Sequence, residues 1–129
     1  MDPRAFSQHL HHAGIVAAIQ AAEERTTGQI RVIISPKRIA DPVAAAGRDF
    51  RRLSLHQNPG RNAVLIFVAP RARQFAVIGD TAVHAQCGDP FWRQLAGTMG
   101  GYFRLGEFTP GIIHGVQTAG ELLATHFPR

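Results

Sequence analysis

Ala63-Val64-Leu65-Ile66-Phe67-Val68-Ala69 is apolar at every position. Asn58-Pro59-Gly60 precedes it and Pro70-Arg71 follows, and both are turn signals. A strand with one wet face would alternate apolar and polar residues. A short unbroken apolar run between turns reads instead as a strand buried on both faces. Such a strand belongs at the centre of a sheet with helices on either side. This predicts an α/β fold, a three-layer α/β/α sandwich around a small mixed sheet.

The neighbouring segments fix the connections. Gln29 to Ser35 carries Ile30, Val32, Ile33 and Ile34 and ends at Pro36, so it reads as the preceding strand. Between the two strands, Asp41-Pro42 is an N-cap followed by proline at the first helical position. The helix it starts should run to about Leu55 and bury Val43, Ala46, Phe50 and Leu53. A helical crossover makes these two strands parallel. Phe75 to Ile78 is the third strand. The four-residue loop Pro70 to Arg73 is long enough only for an antiparallel hairpin.

Helices should flank this unit. Ser7 to Thr26 places Ile15, Ala18, Ile19 and Ala22 on one face, with Gly28 as a left-handed stop. Asp80 to Cys87 is a short helix or turn. Asp89-Pro90 caps a helix through Phe91, Trp92, Leu95, Met99 and Phe103, with Trp92 packed on the sheet. Thr109-Pro110 caps the last helix, which buries Ile112, Ile113, Val116, Leu123 and Phe127. Gly97 and Gly101 are four apart, a spacing suited to close helix packing. All 129 residues read as one domain.

Charge and composition narrow the function classes. Apolar residues make up 45% and charged residues 18%, with a net charge of +5, so the chain should fold. No apolar run is long enough to span a membrane, and the N-terminus does not read as a signal peptide. Cys87 is the only cysteine, which excludes an internal disulfide and points to the cytoplasm. Arg48, Arg51, Arg52, Arg61, Arg71 and Arg73 face a single acid, Asp49, in the middle of the chain. They form a solvated basic face or attract an anionic partner. Aromatics do not alternate with them, so no specific nucleic-acid site is expected.

The topology gathers residues distant in sequence. The starts of the first two strands and the end of the third share one edge of the sheet. That edge holds Gln29, Arg61, Asn62, Gly79 and Asp80, while the opposite edge holds Ser35, Pro70, Arg71 and Arg73. Asp80 is the sharpest candidate, as a cation ligand, an acid/base or the N-cap of the following helix. Arg61 would clamp an anion and Asn62 would add an amide. Asp80 should lie within hydrogen-bonding reach of Arg61 or Asn62.

Other constellations are weaker. His9, His11 and His12 cluster without an evident fourth ligand and read as solvated. Cys87 lies one helical turn from His84, but a lone cysteine is more often a small buried hydrophobe than a nucleophile.

Three segments together resemble the TPM domain. Ala22-Glu23-Glu24-Arg25-Thr26-Thr27-Gly28-Gln29-Ile30-Arg31-Val32 resembles its opening motif. Arg61 to Ala69 resembles its second strand, and Phe75-Ala76-Val77-Ile78-Gly79-Asp80 its third strand and turn. The family takes its name from a thylakoid lumen phosphatase-like protein, a photosystem II repair protein and a nematode receptor modulator. The ending, Phe103 to Phe108, then Thr109 to Ile113 and Leu122 to Pro128, looks like the short bacterial branch without signal peptide or membrane anchor. Two positions depart from that branch, which often has glutamate at Gln29 and glycine at Ala63. An amide at Gln29 cannot serve as a base.

The resemblance implies the α/β/α sandwich. It also implies an acid phosphatase activity described for plant relatives, sometimes with calcium or another divalent cation, for which Asp80 is the candidate ligand. The resemblance also associates bacterial members with envelope proteins; with no complete catalytic set and with the basic stretch, this favours a binding or regulatory module for a membrane-associated partner over the phosphatase. A concave pocket at Asp80 would support the phosphatase and a flat surface the module.

Overall fold

The computed structural model describes residues 10–69 and 74–129. The predicted hairpin loop and the opposite-edge residues Pro70, Arg71 and Arg73 lie outside the described residues, as does His9. The elements are α1 (His12–Glu23), β1 (Gln29–Ile34), α2 (Pro42–Arg52), a 3-10 turn (Leu55–Gln57), β2 (Ala63–Ala69), β3 (Gln74–Gly79), α3 (Thr81–Arg104) and α4 (Phe108–His126).

The sheet order is β1-β2-β3. β1 runs parallel to β2, with Gln29 opposite Ala63 and Ile34 opposite Val68. β3 runs antiparallel, with Val64 opposite Gly79 and Ala69 opposite Gln74. Every residue of β2 is buried. Val64, Ile66 and Val68 enter a core with Ile15, Val83, Leu95, Met99 and residues of α4. Leu65 and Phe67 enter a second core with Ala45, Ala46 and Phe50 of α2. The sandwich therefore has α2 on one side and α1, α3 and α4 on the other.

Several local readings need correction. Asp41 caps α2 as expected, accepting from the amides of Val43 and Ala44 at 3.1 Å. The buried face is Ala45, Ala46 and Phe50, however, while Val43 is 62% exposed and Leu53 also reaches solvent. Val43 sits in the first turn of the helix and Leu53 is its C-cap, so both lie at its ends, while Ala45, Ala46 and Phe50 pack with Leu65 and Phe67. α3 is two helical segments joined at Gly88 (φ 69°, ψ 177°), a conformation open in practice only to glycine. The expected break before Pro90 is therefore present. Trp92 is partly buried and packs against the first core.

Thr109 does not cap α4. Glu107 takes that position without a side-chain cap, and Thr109 Oγ1 accepts from the His11 amide at 3.0 Å. Gly28 does not adopt a left-handed conformation either. It is small because a Cβ there would meet Asn62 O at 2.9 Å and the Leu123 methyls at 3.0 Å. Gly97 has open space around it. The closely packed glycines are on α4 instead: a Cβ on Gly111, Gly115 or Gly120 would press on Phe103, Met99 or Ala22.

Candidate functional site

The turn Asn58-Pro59-Gly60-Arg61 feeds β2. Arg61 N–H donates to Asn58 O at 3.0 Å, and Asn58 Oδ1 accepts from the Gly60 amide at 2.9 Å. Arg61 closes the turn with φ at 51°, a left-handed conformation that costs a side-chain-bearing residue about 1–2 kcal/mol. Two backbone bonds then lock this turn to the start of α3. Asp80 N–H donates to Ala63 O at 2.9 Å, and Ala82 N–H donates to Arg61 O at 3.1 Å.

This framework brings Arg61 and Asp80 together. Arg61 Nε donates to Asp80 Oδ2 at 3.2 Å. The other carboxylate oxygen accepts from the Thr81 amide at 2.7 Å and caps α3. Asp80 thus fills the capping role and the ion-pair role at once. Its side chain is 5% exposed, whereas that of Arg61 is 52% exposed. The guanidinium is held at its inner edge and presented outward.

The other two candidates lie elsewhere. Asn62 is buried, with Nδ2 donating to Thr27 Oγ1 at 3.1 Å. Gln29 Oε1 accepts from Asn58 Nδ2 at 3.2 Å. Gln29 and Asp80 do share one end of the sheet, but β2 stands between them. Strands are about 4.8 Å apart, so a two-strand separation is near 10 Å. Each residue opens onto a different concavity.

The concavity at Asp80 has a volume of about 510 Å³ and lies between α2 and the start of α3. Phe50 and Ile78 form apolar wall, while Arg51, His56, Arg61 and His84 bring polar groups to it. Arg51, His56 and His84 were not among the residues expected at the site. Arg51 follows Phe50 on a helix packed against β3, and that adjacency was the available signal. His84 Nδ1 accepts from Trp92 Nε1 at 3.1 Å, and His84 Nε2 lies 3.6 Å from Asp89. This clips the two segments of α3 across the Gly88 kink.

The donor set does not fit a resident calcium ion. Such a site needs about six oxygen ligands, usually several of them carboxylates. Asp80 already accepts from a guanidinium and an amide. Among the described residues, no three His, Cys, Asp or Glu side chains gather in an arrangement that could hold a metal. Nor is any helix among them long and apolar enough to cross a membrane.

The fold and the cleft define an α/β/α sandwich with a basic cleft at the end of its sheet. Residues 7–122 match the TPM domain, and the chain belongs to that family. It is similar to the BA42 protein of the psychrophilic bacterium Bizionia argentinensis, at 32% identity and a TM-score of 0.83, over 93% of this chain and 85% of that one. The N-terminal domain of the cg2496 protein from Corynebacterium glutamicum shares the fold, at 17% identity and a TM-score of 0.63, over 86% of this chain and 70% of that one. No curated protein matches the sequence.

Proposed function

We propose that this chain is a single-domain binding module that receives an anionic group of a partner protein in the cleft between α2 and α3. The observation that carries this reading is the commitment of both Asp80 oxygens, one to Arg61 and one to Thr81. A carboxylate so engaged orients an arginine better than it accepts a proton or grips a cation. Its charge is balanced by Arg61, and Arg51 on the same cleft leaves the balance positive. Arginine suits carboxylate or phosphate groups because its planar fork can donate two parallel bonds. The family's association with envelope proteins points to the cytoplasmic portion of a membrane-associated protein as the partner.

The test is an NMR titration with inorganic phosphate, calcium and magnesium at millimolar concentration. Phosphate should move the signals of Arg51, His56, Arg61 and Thr81, and folded Arg61→Ala should lose the response. Shifts centred on Asp80 with calcium, abolished in Asp80→Asn, would overturn the reading.

One observation favours a second reading. The cleft is concave and holds several polar groups, which suits the pocket of an acid phosphatase, although no metal-ligand set gathers there among the described residues. Hydrolysis of p-nitrophenyl phosphate at acid pH, dependent on added divalent cation and lost in Asp80→Asn, would support it.

A further inference from the structure

β1 is an edge strand, and the pattern of its amides shows which way they point. Ser35 N–H donates to Val68 O at 2.8 Å, toward β2. Ile30 N–H donates to Glu23 Oε2 at 2.9 Å, toward α1. Backbone groups of successive residues in an extended strand point to opposite sides. Ile30, Val32 and Ile34 therefore direct their N–H and C=O groups away from the sheet. Glu23 takes the first of these amides. Val32 and Ile34 offer the rest along an edge with no neighbouring strand among the described residues.

This edge floors a groove of about 540 Å³. Ile19 and Glu23 of α1 form one wall, and Arg31 and Arg129 stand at its rim. The side chains of Ile30 and Val32 face the same side as α1, because both join the core to which Ile15 and Ile19 belong. Arg31 points to the opposite face and is exposed.

We infer that the outer edge of β1 accepts an extended segment of a partner protein in which apolar and acidic residues alternate. Backbone bonds to Val32 and Ile34 would supply affinity, and the side-chain alternation would supply choice. Partner residues opposite Ile30 and Val32 fall beside Ile19 and should be apolar. The residue opposite Arg31 falls on the other face and should be acidic, since opposite charges across strands attract. A second copy of this chain fits less well. Pairing Val32 with its counterpart sets two Arg31 side chains diagonally on one face, and each chain carries a net charge of +5. This surface lies across β2 from the Arg61 cleft and does not depend on what that cleft binds.

The experiment is an NMR titration of the full chain with a capped peptide of alternating valine and glutamate, beside one of alternating valine and lysine. The glutamate peptide should shift the Val32 and Ile34 amides and slow their hydrogen exchange. Val32→Pro removes an outward N–H, a change that edge strands tolerate, and should weaken binding about tenfold or more. Arg31→Glu leaves the backbone intact and should reverse the preference toward the lysine peptide. Equal binding of both peptides, shifts confined to the Arg61 cleft, or unchanged affinity in folded Val32→Pro would overturn the inference. So would a concentration-dependent dimer whose protected amides are those of β1.

Discussion

Arg61 and Asp80 form an ion pair in which the acid is buried and the base is half in solvent, and the base does so from a left-handed backbone. The side chain and the main chain of Arg61 thus act in opposite directions on stability. Arg61→Gly removes the pair and the backbone cost together, whereas Arg61→Ala removes only the pair. The glycine variant should be the more stable of the two by about 1 kcal/mol. Paired urea melts check this, and an alanine variant equal to or better than glycine would show that the left-handed conformation carries no cost here.

Gly79 ends β3 beneath the indole of Trp92. A Cβ on Gly79 would run into Cζ2 and Cη2 of that ring. Gly79→Ala should therefore push the ring away and cost about 1–3 kcal/mol. Trp92→Ala should cost about 2–4 kcal/mol, because it removes a partly buried ring that also donates to His84. Tryptophan fluorescence reports the first change and denaturant melts report both. An unmoved emission spectrum in Gly79→Ala would count against the contact.

Two helical glycines should respond in opposite senses to the same substitution. Gly97 on α3 has no neighbour near a would-be Cβ, so Gly97→Ala should stabilise by about 0.5–1 kcal/mol. On α4, Gly120 would bring a Cβ within 2.7 Å of Ala22 Cβ, forcing α1 and α4 apart. Gly120→Ala should destabilise by about 1–3 kcal/mol. Thermal melts of the two variants side by side would expose an error if the signs agree.

Burial holds the Cys87 thiol above its ordinary range, with Asp89 adding to the effect and the backbone around Gly88 opposing it. The folded state thus disfavours the thiolate. The stability this contributes is complete below the unfolded pKa and is lost as pH rises through the higher folded one. Iodoacetamide should alkylate Cys87 more slowly in the folded chain than in urea at mildly alkaline pH, with the gap closing as pH increases. Faster labelling of the folded protein would contradict the shift.

β2 was the most legible part of the sequence, because burial on both faces leaves no polar position to misread. The caps at Asp41 and Asp80 were also readable, since each precedes a helix start with its acceptor in reach. Glycine was not. Spacing within one helix singled out Gly97 and Gly101, yet close packing depends on what the facing helix supplies. That information resides in Phe103, Met99 and Ala22, on helices other than the one that carries Gly111, Gly115 and Gly120. The site was half legible for a related reason. Chain direction placed Gln29, Arg61, Asn62 and Asp80 at one end of the sheet, but it carries no lateral distance and no side-chain direction. Hence Arg61 meets Asp80, while Asn62 turns inward to Thr27 and Gln29 pairs with Asn58.

The sheet joins two kinds of pairing with very different search times. Ala69 finds Gln74 across a short loop, while Gln29 must find Ala63 across an intervening helix. Closing the longer loop costs more chain entropy, so the hairpin can form early and the parallel pair waits for α2 to dock. Until then β2 has one unsatisfied edge and two uncovered apolar faces, the features that make a partly folded chain prone to aggregate. The central strand that secures the finished fold is therefore the segment most exposed to misassembly while the whole chain folds.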